Sequence, residues 1–401
     1  MISNKLKTAV LAGGVVLGSI SFANASGVLG RYFDTTSTVL PDKLALGIYE
    51  EVRYEDNLFS RSVDERGGIV FSTGLTLDAS RARGEFSFAL KADVAYDHYH
   101  KFASDLSDTV YDIVPMIRYD QGNWDFVLGG NFVRDYTVLD RAVGGARAKY
   151  YVNGVDATWN LNLNEKWGVA VTGEYENKNY SDKDFDDEDY DLYEVTVAPY
   201  YVFSPKTKVG LSMGYAVKEY DRNLRYADSD TLTLNAFVDY RVTGKISIHA
   251  DAGVEFVNYD DLPWDVYKEN DALFNGGLVA RYAMLSNLDI RLGLKHKHAD
   301  NSGFTGGMQQ DTDALLGVDW RINSKLTLSQ NLTHRWSDKK DGAVNDNTEI
   351  TYDATLSYDV TDKLRVYGSY EYGNTDYCNL PGGLDADYST HIYLVGVRYT
   401  F

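Results

Sequence analysis

The end of the chain, His391–Phe401, carries the pattern that most constrains the fold. Counting back from Phe401, every second position is large and apolar as far as Tyr393, and Arg398 is among the polar or small positions between them. A period of two indicates a β-strand whose two faces meet different surroundings. Its length suits a tilted strand that crosses a bilayer, which needs about 9–11 residues. The sequence therefore predicts a membrane-crossing strand at this end.

The same pattern repeats from Leu44 onward, with short and long connections in alternation. Strand 2 is predicted at 69–79, and a tight turn at 80–84 follows it. Other short connections, rich in turn-forming residues, are predicted near 120–123, 162–166, 204–207, 243–245, 284–287, 323–325 and 361–363. Long polar loops are predicted near 55–67, 100–108, 134–146, 180–190, 221–229, 259–270, 299–310, 337–347 and 373–386. These connections divide the chain into about 18 strands, an even number as in bacterial barrels.

Only one architecture allows these strands to cross a membrane. After residue 25, no stretch approaches 18 continuous apolar residues, so no helical span is predicted. Lipid does not satisfy the hydrogen bonds of an open sheet edge, so the strands must close on themselves. We predict an all-β, antiparallel, up-and-down transmembrane β-barrel with short periplasmic turns and long extracellular loops. Aromatic residues at the strand ends are typical of interfacial girdles.

The first 25 residues have the features of a secretory signal peptide. Lys5 and Lys7 precede an apolar stretch at Ala9–Ile20, and small residues end at Ala25. We predict cleavage near Ala25, a periplasmic lead-in at 26–43 and the barrel at 44–401. The expected location is the bacterial outer membrane, and the expected partners are its lipid, lipopolysaccharide and the barrel-assembly machinery.

The net charge narrows the range of partners. The chain has a formal charge of −20, and loss of Lys5 and Lys7 with the signal peptide makes the remainder −22. Such an acidic protein is not expected to bind nucleic acid through a basic face. The single cysteine, Cys378, allows no internal disulfide and is expected to be a free surface thiol.

Charged residues of both signs share the predicted inward face. A barrel of about 18 strands is wide enough for a water-filled lumen, and charges on neighbouring strands can pair along its wall. The pattern predicts pore character but gives no selectivity. The lumen-facing candidates are Lys91, Asp93, Glu174, Lys178, Asp239, Arg241, Asp251, Glu255, Arg291, Lys295, Asp319, Arg321, Arg335, Asp353, Arg365, Glu371 and Arg398.

Metal and cofactor sites are not predicted. In the acidic stretch Asp182–Asp191, the first three aspartates have calcium-loop spacing. Position six, however, is Asp187 instead of glycine, and position twelve is Tyr193 instead of glutamate. A solvated loop that loosely attracts divalent cations is the preferred interpretation.

The histidines and possible nucleophiles give no catalytic pattern. His249 is predicted to face inward beside Asp251, and the other six histidines are predicted to point outward near the loop ends: His98, His100, His296, His298, His334 and His391. Ser329, Asn331 and His334 do not share a face, so no nucleophilic site is assembled from them. An enzyme is not predicted.

Two segments carry resemblances to known barrels. The C-terminal strand, with Tyr399 and Phe401, resembles the final strand of bacterial outer-membrane barrels, which implies an insertion signal. The segment Tyr54–Phe59 resembles the Tyr-x-Asp-Asn-x-Phe element of a family of outer-membrane porins, through Tyr54, Asp56, Asn57 and Phe59. Some members of that family are associated with exopolysaccharide synthesis and export. The resemblance implies a polymer exit that works with a periplasmic polysaccharide export protein.

The physical chemistry of the motif is independent of this resemblance. Asp56 and Asn57 are expected to bond nearby backbone groups in a turn, and Leu58 and Phe59 to pack the loop against the barrel mouth. The final strand is expected to pair with the first, which would place the motif beside that seam. Three functions remain open: polysaccharide export, diffusion of general or sugar-like solutes, and a surface-binding structural barrel.

Overall fold

A computed structural model describes residues 42–61, 65–102, 106–139, 146–221, 228–260, 271–300, 308–339, 347–377 and 387–401. These ranges hold 18 strands and one 3₁₀ helix at Lys183–Glu188. The strands are β1 Lys43–Glu55, β2 Gly68–Arg83, β3 Phe86–Tyr99, β4 Asp108–Asp120, β5 Trp124–Leu139, β6 Ala146–Asn162, β7 Trp167–Tyr180, β8 Tyr190–Ser204, β9 Thr207–Tyr220, β10 Ser229–Arg241, β11 Ile246–Tyr259, β12 Asp271–Leu285, β13 Leu288–Asp300, β14 Met308–Arg321, β15 Leu326–Lys339, β16 Asn347–Asp359, β17 Leu364–Tyr377 and β18 Tyr388–Thr400.

Each strand pairs antiparallel with the next, and the sheet closes on itself. The closing pair is β1 with β18, whose register runs from Gly47 opposite Thr400 to Glu55 opposite Ile392. The backbone N–H of Phe401 then bonds the carbonyl of Leu46 at 2.9 Å. The predicted fold class, an antiparallel up-and-down barrel of 18 strands, is confirmed.

The period-two pattern gives the wall two different faces. On β1, for example, Leu46, Ile48 and Val52 are exposed on the outside, whereas Tyr49 and Arg53 are buried on the inside. Successive side chains of a strand point to opposite faces, so this alternation continues around the closed wall. The outer face is apolar and the inner face polar, as lipid outside and water inside require.

Aromatic side chains mark both edges of the apolar outer belt. Those at the short-turn edge include Trp167, Phe203, Tyr240, Tyr282 and Trp320. Those at the long-loop edge include Tyr96, Tyr175, Tyr215, Phe256 and Trp336. Amphipathic rings favour the level of the lipid headgroups, so the two girdles define the depth of the barrel in the bilayer.

Four inner-face aromatic rings lie over a glycine of the neighbouring strand. The partners are Tyr49 over Gly74, Tyr200 over Gly168, Phe237 over Gly210 and Tyr367 over Gly396, and in each case a methyl group on the glycine would overlap the ring. Glycine lets a ring lie flat on the wall and cover the backbone. These pairs bury the aromatic residues without filling the lumen.

The structure moves several predicted boundaries. The turn predicted at 80–84 begins later than expected, because β2 continues to Arg83 and the chain reverses at Gly84, which has a φ of 58°. The predicted loop at 134–146 is too long, because β5 extends to Leu139 and β6 begins at Ala146. Paired backbone groups extend these strands past the point where their alternating pattern becomes weak.

Other predictions fall partly or wholly outside the described residues. The signal segment at 1–25 and Cys378 lie there, as does the lead-in at 26–43 except for Asp42 and Lys43. Lys43 is already the first residue of β1. In the described ranges, no helix is long and apolar enough to cross a membrane.

Candidate functional site: the lumen wall and the barrel mouth

The strand registers place every lumen-facing candidate on the inner face. Residues that stand opposite each other in paired strands share a face, so the inner face can be traced from strand to strand around the barrel. For example, Asp93 stands opposite Thr76 on β2, Glu174 opposite Glu194 on β8, and Arg398 opposite Tyr49 on β1. The strand pairings place the other candidates on the same inner face: Lys91, Lys178, Asp239, Arg241, Asp251, Glu255, Arg291, Lys295, Asp319, Arg321, Arg335, Asp353, Arg365 and Glu371.

Many of these charges pair along the wall. Arg291 lies 2.8 Å from Asp319, and Arg335 lies 2.7 Å from Asp313. At the short-turn end, Arg365 lies 2.6 Å from Asp359 in a half-exposed pair. Pairs between neighbouring strands neutralise the wall locally and leave the axis of the barrel to solvent.

His249 lies between two carboxylates on the inner face. Its Nδ1 is 2.7 Å from Asp239, and its Nε2 is 3.4 Å from Asp251. Lys208 approaches Asp239 at 3.8 Å from the other side. The group is an interstrand charge network in which the imidazole bridges β10 and β11, as its predicted inward position beside Asp251 suggests.

Lysine and tyrosine side chains cover the inner wall from β6 to β9. The Lys178 ammonium lies over the rings of Tyr150 and Tyr180, and the Lys218 ammonium lies over those of Tyr190 and Tyr220. Cation–π contacts of this kind hold a flexible lysine against the wall. They give this part of the lumen an aromatic surface with fixed positive charges.

A buried charge network occupies the long-loop end of the lumen. Arg53 lies 2.7 Å from Glu55 and 3.4 Å from Asp97. Arg147 lies 2.6 Å from Glu55 and donates a 2.7 Å hydrogen bond to the hydroxyl of Tyr99. We call these five residues the mouth cluster. All are nearly excluded from solvent, and the Arg147 side chain is only 1% exposed.

The mouth cluster joins strands that are distant in the sheet. Glu55 ends β1, whereas Arg147 lies near the start of β6, five strand positions away. Direct contact therefore requires the part of β6 around Arg147, with the end of β5 that pairs with it, to lean across the mouth toward β1. Tyr136, on β5 of the same hairpin, bonds the carbonyl of Leu106 in the β3–β4 connection.

Apolar residues from two loops seal the mouth cluster. Leu58 is 1% exposed and packs in one core with Leu106, Tyr99 and Tyr136. Phe59 contacts this core and meets Phe102 edge to face, at 5.5 Å between ring centroids. As expected from the sequence, Leu58 and Phe59 hold the first loop against the mouth.

The Tyr54–Phe59 motif extends the seam beyond the last β1–β18 backbone pair. Asp56 donates its N–H to the His391 carbonyl at 3.1 Å, and its carboxylate accepts the N–H of His391 at 2.7 Å. The Asn57 amide bonds the carbonyls of Ser389 at 3.2 Å and of Arg61 at 2.8 Å. One side chain thus imitates a strand partner, and the other links the seam to the first loop.

The acidic stretch Asp182–Asp191 is more ordered than a solvated loop. Asp182 caps the 3₁₀ helix by accepting the N–H of Asp184, while Asp187 and Asp189 are buried. Burial raises the pKa of the Asp189 carboxyl to about 6, even though it accepts the N–H of Tyr180. Within the described ranges, no group of three or more histidine, cysteine, aspartate or glutamate residues is arranged to hold a metal ion.

The loop-end histidines are not all equivalent. His334 packs against Trp336 with the two rings tilted, and His391 bonds the Tyr370 hydroxyl at 2.9 Å, both on the outer face. The prediction that His298 points outward is wrong, because its Nε2 lies 2.5 Å from the hydroxyl of Tyr259, an inner-face residue. Above the Gly276–His296 pair, β13 is no longer paired with β12, which frees His298 to turn.

Sequence reasoning missed most of the mouth cluster. Arg147 adjoins a segment that the sequence predicts as loop, and the predicted first loop includes Glu55, so neither residue is among the lumen candidates. The available signal was the presence of charged residues beside aromatic ones at both ends of the β5–β6 connection. Ser329 and Asn331 lie on the inner face and His334 on the outer one, so the structure does not bring them together.

Three porins of known structure have similar folds. Pseudomonas aeruginosa OccK2 (OpdF) is 12% identical, with a TM-score of 0.46 and coverage of 90% of this chain and 98% of the porin. P. aeruginosa OpdK is 10% identical, with a TM-score of 0.48 and coverage of 90% and 99%. Acinetobacter baumannii OccAB3 is 8% identical, with a TM-score of 0.43 and coverage of 90% and 100%. No curated protein matches the chain significantly.

The structural similarity to these porins does not assign the chain to a family, but a family model does. The model for the surface lipoprotein assembly modifier matches residues 67–271, just over half of the 401-residue chain. The matched range begins one residue before β2 and ends at the first residue of β12, so it includes Asp97, Tyr99 and Arg147 of the mouth cluster. This outer-membrane β-barrel belongs to the surface lipoprotein assembly modifier family.

Proposed function

We propose that the barrel is a gated passage that helps to place lipoproteins on the cell surface. The family match over residues 67–271 carries this proposal. The inner wall supports it, since paired charges such as Arg291 with Asp319 and lysine-covered tyrosines offer a polar but neutralised surface to a polypeptide. A surface of this kind lets a polar chain slide without holding it at any one point.

The mouth cluster closes the passage at rest. Arg147 ties the β5–β6 hairpin to Glu55 of β1, and Leu58 and Leu106 exclude water from the contact. Removing one partner of a buried ion pair leaves the other charge uncompensated, which is strongly unfavourable. The closed arrangement is therefore stable until cargo, or a change at the first loop, supplies other partners for these charges.

Export of a surface polysaccharide is the second candidate. It is supported by the resemblance of Tyr54–Phe59 to the porin element described above, and it would require a periplasmic polysaccharide export protein as partner. The acidic net charge of −20 opposes an anionic polymer. Diffusion of general or sugar-like solutes, and a structural barrel with adhesive loops, are the remaining alternatives.

Deletion of the gene in its native host separates these functions. We expect lipoproteins to be made and lipidated normally but to become inaccessible to protease added outside the cells. Unchanged protease accessibility would contradict the proposal. Loss of surface polysaccharide would favour the second candidate, slower solute uptake would favour a diffusion porin, and loss of adhesion alone would favour the structural barrel.

Other roles remain proposals from the sequence. The chain is exported by cleavage near Ala25, inserted by the barrel-assembly machinery through Tyr399 and Phe401, and surrounded by lipid and lipopolysaccharide. It performs no catalysis and uses no cofactor, although Asp182–Asp191 loosely attracts divalent cations. Replacing Phe401 with alanine tests the insertion signal, because the folded barrel should then accumulate more slowly in the outer membrane.

A further inference from the structure

A carboxylate interrupts the lipid-facing surface of β1. Glu50 is exposed on the outer face, where Ile48 and Val52 flank it along the strand. Its register partners are Val397 on β18 and Thr73 on β2, also on the outer face. Glu50 therefore lies directly beside the β1–β18 seam, surrounded mainly by apolar side chains.

Glu50 is exceptional in its depth. In the described part of the chain, it is the one aspartate, glutamate, lysine or arginine side chain on the outer face between the two aromatic girdles. The other outer-face charges stand near strand ends, at or beyond the girdles, as with Arg81, Asp191 and Asp230. Two of these have girdle partners, because Tyr175 donates to Asp191 and Tyr215 donates to Asp230.

The protein itself gives Glu50 little compensation. The Thr73 hydroxyl donates one hydrogen bond to the carboxylate at 2.7 Å. A carboxylate offers about four acceptor positions, and hydrocarbon supplies no donor for the others. Charged residues at membrane depth are costly and mark functional surfaces. The position is therefore best explained by a partner that covers it.

We infer that the outer face around Glu50 docks a second outer-membrane protein, which presents a lysine or arginine side chain to this carboxylate. Charge complementarity favours that occupant. A second copy of this chain offers no lysine or arginine on its outer face between the girdles in its described part, and a twofold contact would oppose two glutamates. Lipid A carries phosphates, which repel a carboxylate, and headgroup amines of the inner leaflet lie at the opposite edge of the belt.

The surroundings of Glu50 suit such a contact. Val52, Val397 and Leu75 form an apolar rim around the carboxylate and Thr73. A polar centre that is enclosed by an apolar rim is desolvated when a partner covers it, which strengthens its ion pair. A partner here would span β18, β1 and β2 and would brace the closing seam of the barrel.

Photo-crosslinking in living cells tests this inference on the full chain. The photoreactive residue p-benzoylphenylalanine replaces Val52, next to Glu50, and in a control strain it replaces Leu234, an outer-face residue on β10 across the barrel. Each site is compared with and without Glu50→Lys and Glu50→Gln, and folding is checked by the heat-dependent gel shift of the barrel. Adducts are identified by mass spectrometry of the linked peptides.

We expect the Val52 site to give an adduct whose linked peptide contains a membrane-embedded lysine or arginine, and the Leu234 site to give none. Glu50→Lys should lower its yield at least about tenfold, equivalent to ~1.4 kcal/mol of binding, and a glutamate in place of the partner's basic residue should restore it. If Glu50→Lys does not fold, Glu50→Gln should still lower the yield several-fold. The inference would be overturned if the Val52 site gave only lipid adducts or an adduct with a second copy of this chain. An adduct yield that does not change when Glu50 is replaced would also overturn it.

Discussion

The guanidinium of Arg147 lies 2.6 Å from the carboxylate of Glu55, although their strands are five positions apart around the barrel. This contact holds the β5–β6 hairpin across the mouth, so the hairpin can close the opening. The pair is buried together with Arg53 and Asp97, so the contact is protected from screening by salt. The closed mouth therefore depends on a few specific residues.

Removing the Arg147 side chain should open the mouth. Arg147→Ala leaves Glu55 buried with only Arg53 as its cationic partner, and breaking a buried pair costs about 3–5 kcal/mol. We expect a higher single-channel conductance in planar bilayers while the barrel remains folded. Arg365→Ala is the matched control, because its 2.6 Å pair with Asp359 is half exposed and should contribute only about 0–1 kcal/mol. Equal conductance in the two variants would exclude the proposed closure.

The Asp56 and Asn57 side chains should stabilise the seam. Asn57→Ala removes bonds to Arg61 and Ser389, and we expect a loss of about 1–3 kcal/mol in the free energy of unfolding in lipid vesicles. Asp56→Ala should cost about 1 kcal/mol, because His391 keeps one backbone bond at this point. Urea titration measures both. Asp362→Ala, in an exposed short turn, should leave stability unchanged, and an equal loss there would contradict a role of the motif in the seam.

A methyl group at Gly74 should disturb the wall. The ring of Tyr49 lies over Gly74, and its hydroxyl donates a 2.7 Å hydrogen bond to Asp93. Gly74→Ala forces the buried ring away, and overpacking of this kind costs about 1–3 kcal/mol. Gly173→Ala is the control, because a Cβ there meets no atom within 4 Å. Unfolding in urea should distinguish the two, and indistinguishable midpoints would rule out the ring–glycine contact.

The 3₁₀ helix should respond to mild acid through Asp189. The folded state holds the pKa of this carboxyl at about 6, above its ordinary value of 3.8, because the group is buried. The folded loop therefore binds the proton more tightly, so its stability rises as the pH falls through about 6 and the gain is complete below about 3.8. Hydrogen exchange of the Tyr180 N–H, corrected for its intrinsic pH dependence, should slow several-fold between pH 7.5 and pH 5.

Asp189→Asn should remove most of this pH response, because the amide oxygen can still accept the Tyr180 N–H but does not titrate. The control Asp362→Asn should behave like the unmodified chain. A response that persists in Asp189→Asn would show that another group is responsible.

The sequence was sufficient for the barrel but insufficient for its mouth. Strand number, inner and outer faces and the β1–β18 seam follow from period-two alternation and turn chemistry, which are local properties. The contact of Arg147 with Glu55 depends on how far the β5–β6 hairpin extends and where it leans. The prediction that His298 points outward is wrong for a related reason. Alternation predicts the direction of a side chain only while its strand remains paired on both sides.

Gating by the β5–β6 hairpin is tested most directly by holding the hairpin closed. Cysteines replace Glu55 and Arg147 in a Cys378→Ser background, and a short reducible thiol cross-linker joins them before single-channel recording. A second pair at Asp359 and Arg365, which lie on adjacent strands at the short-turn end, controls for the reagent. We expect a low conductance with the 55–147 bridge, a large increase on reduction, and no change for the 359–365 pair. A conductance that is the same before and after reduction of the 55–147 bridge would contradict gating by the hairpin.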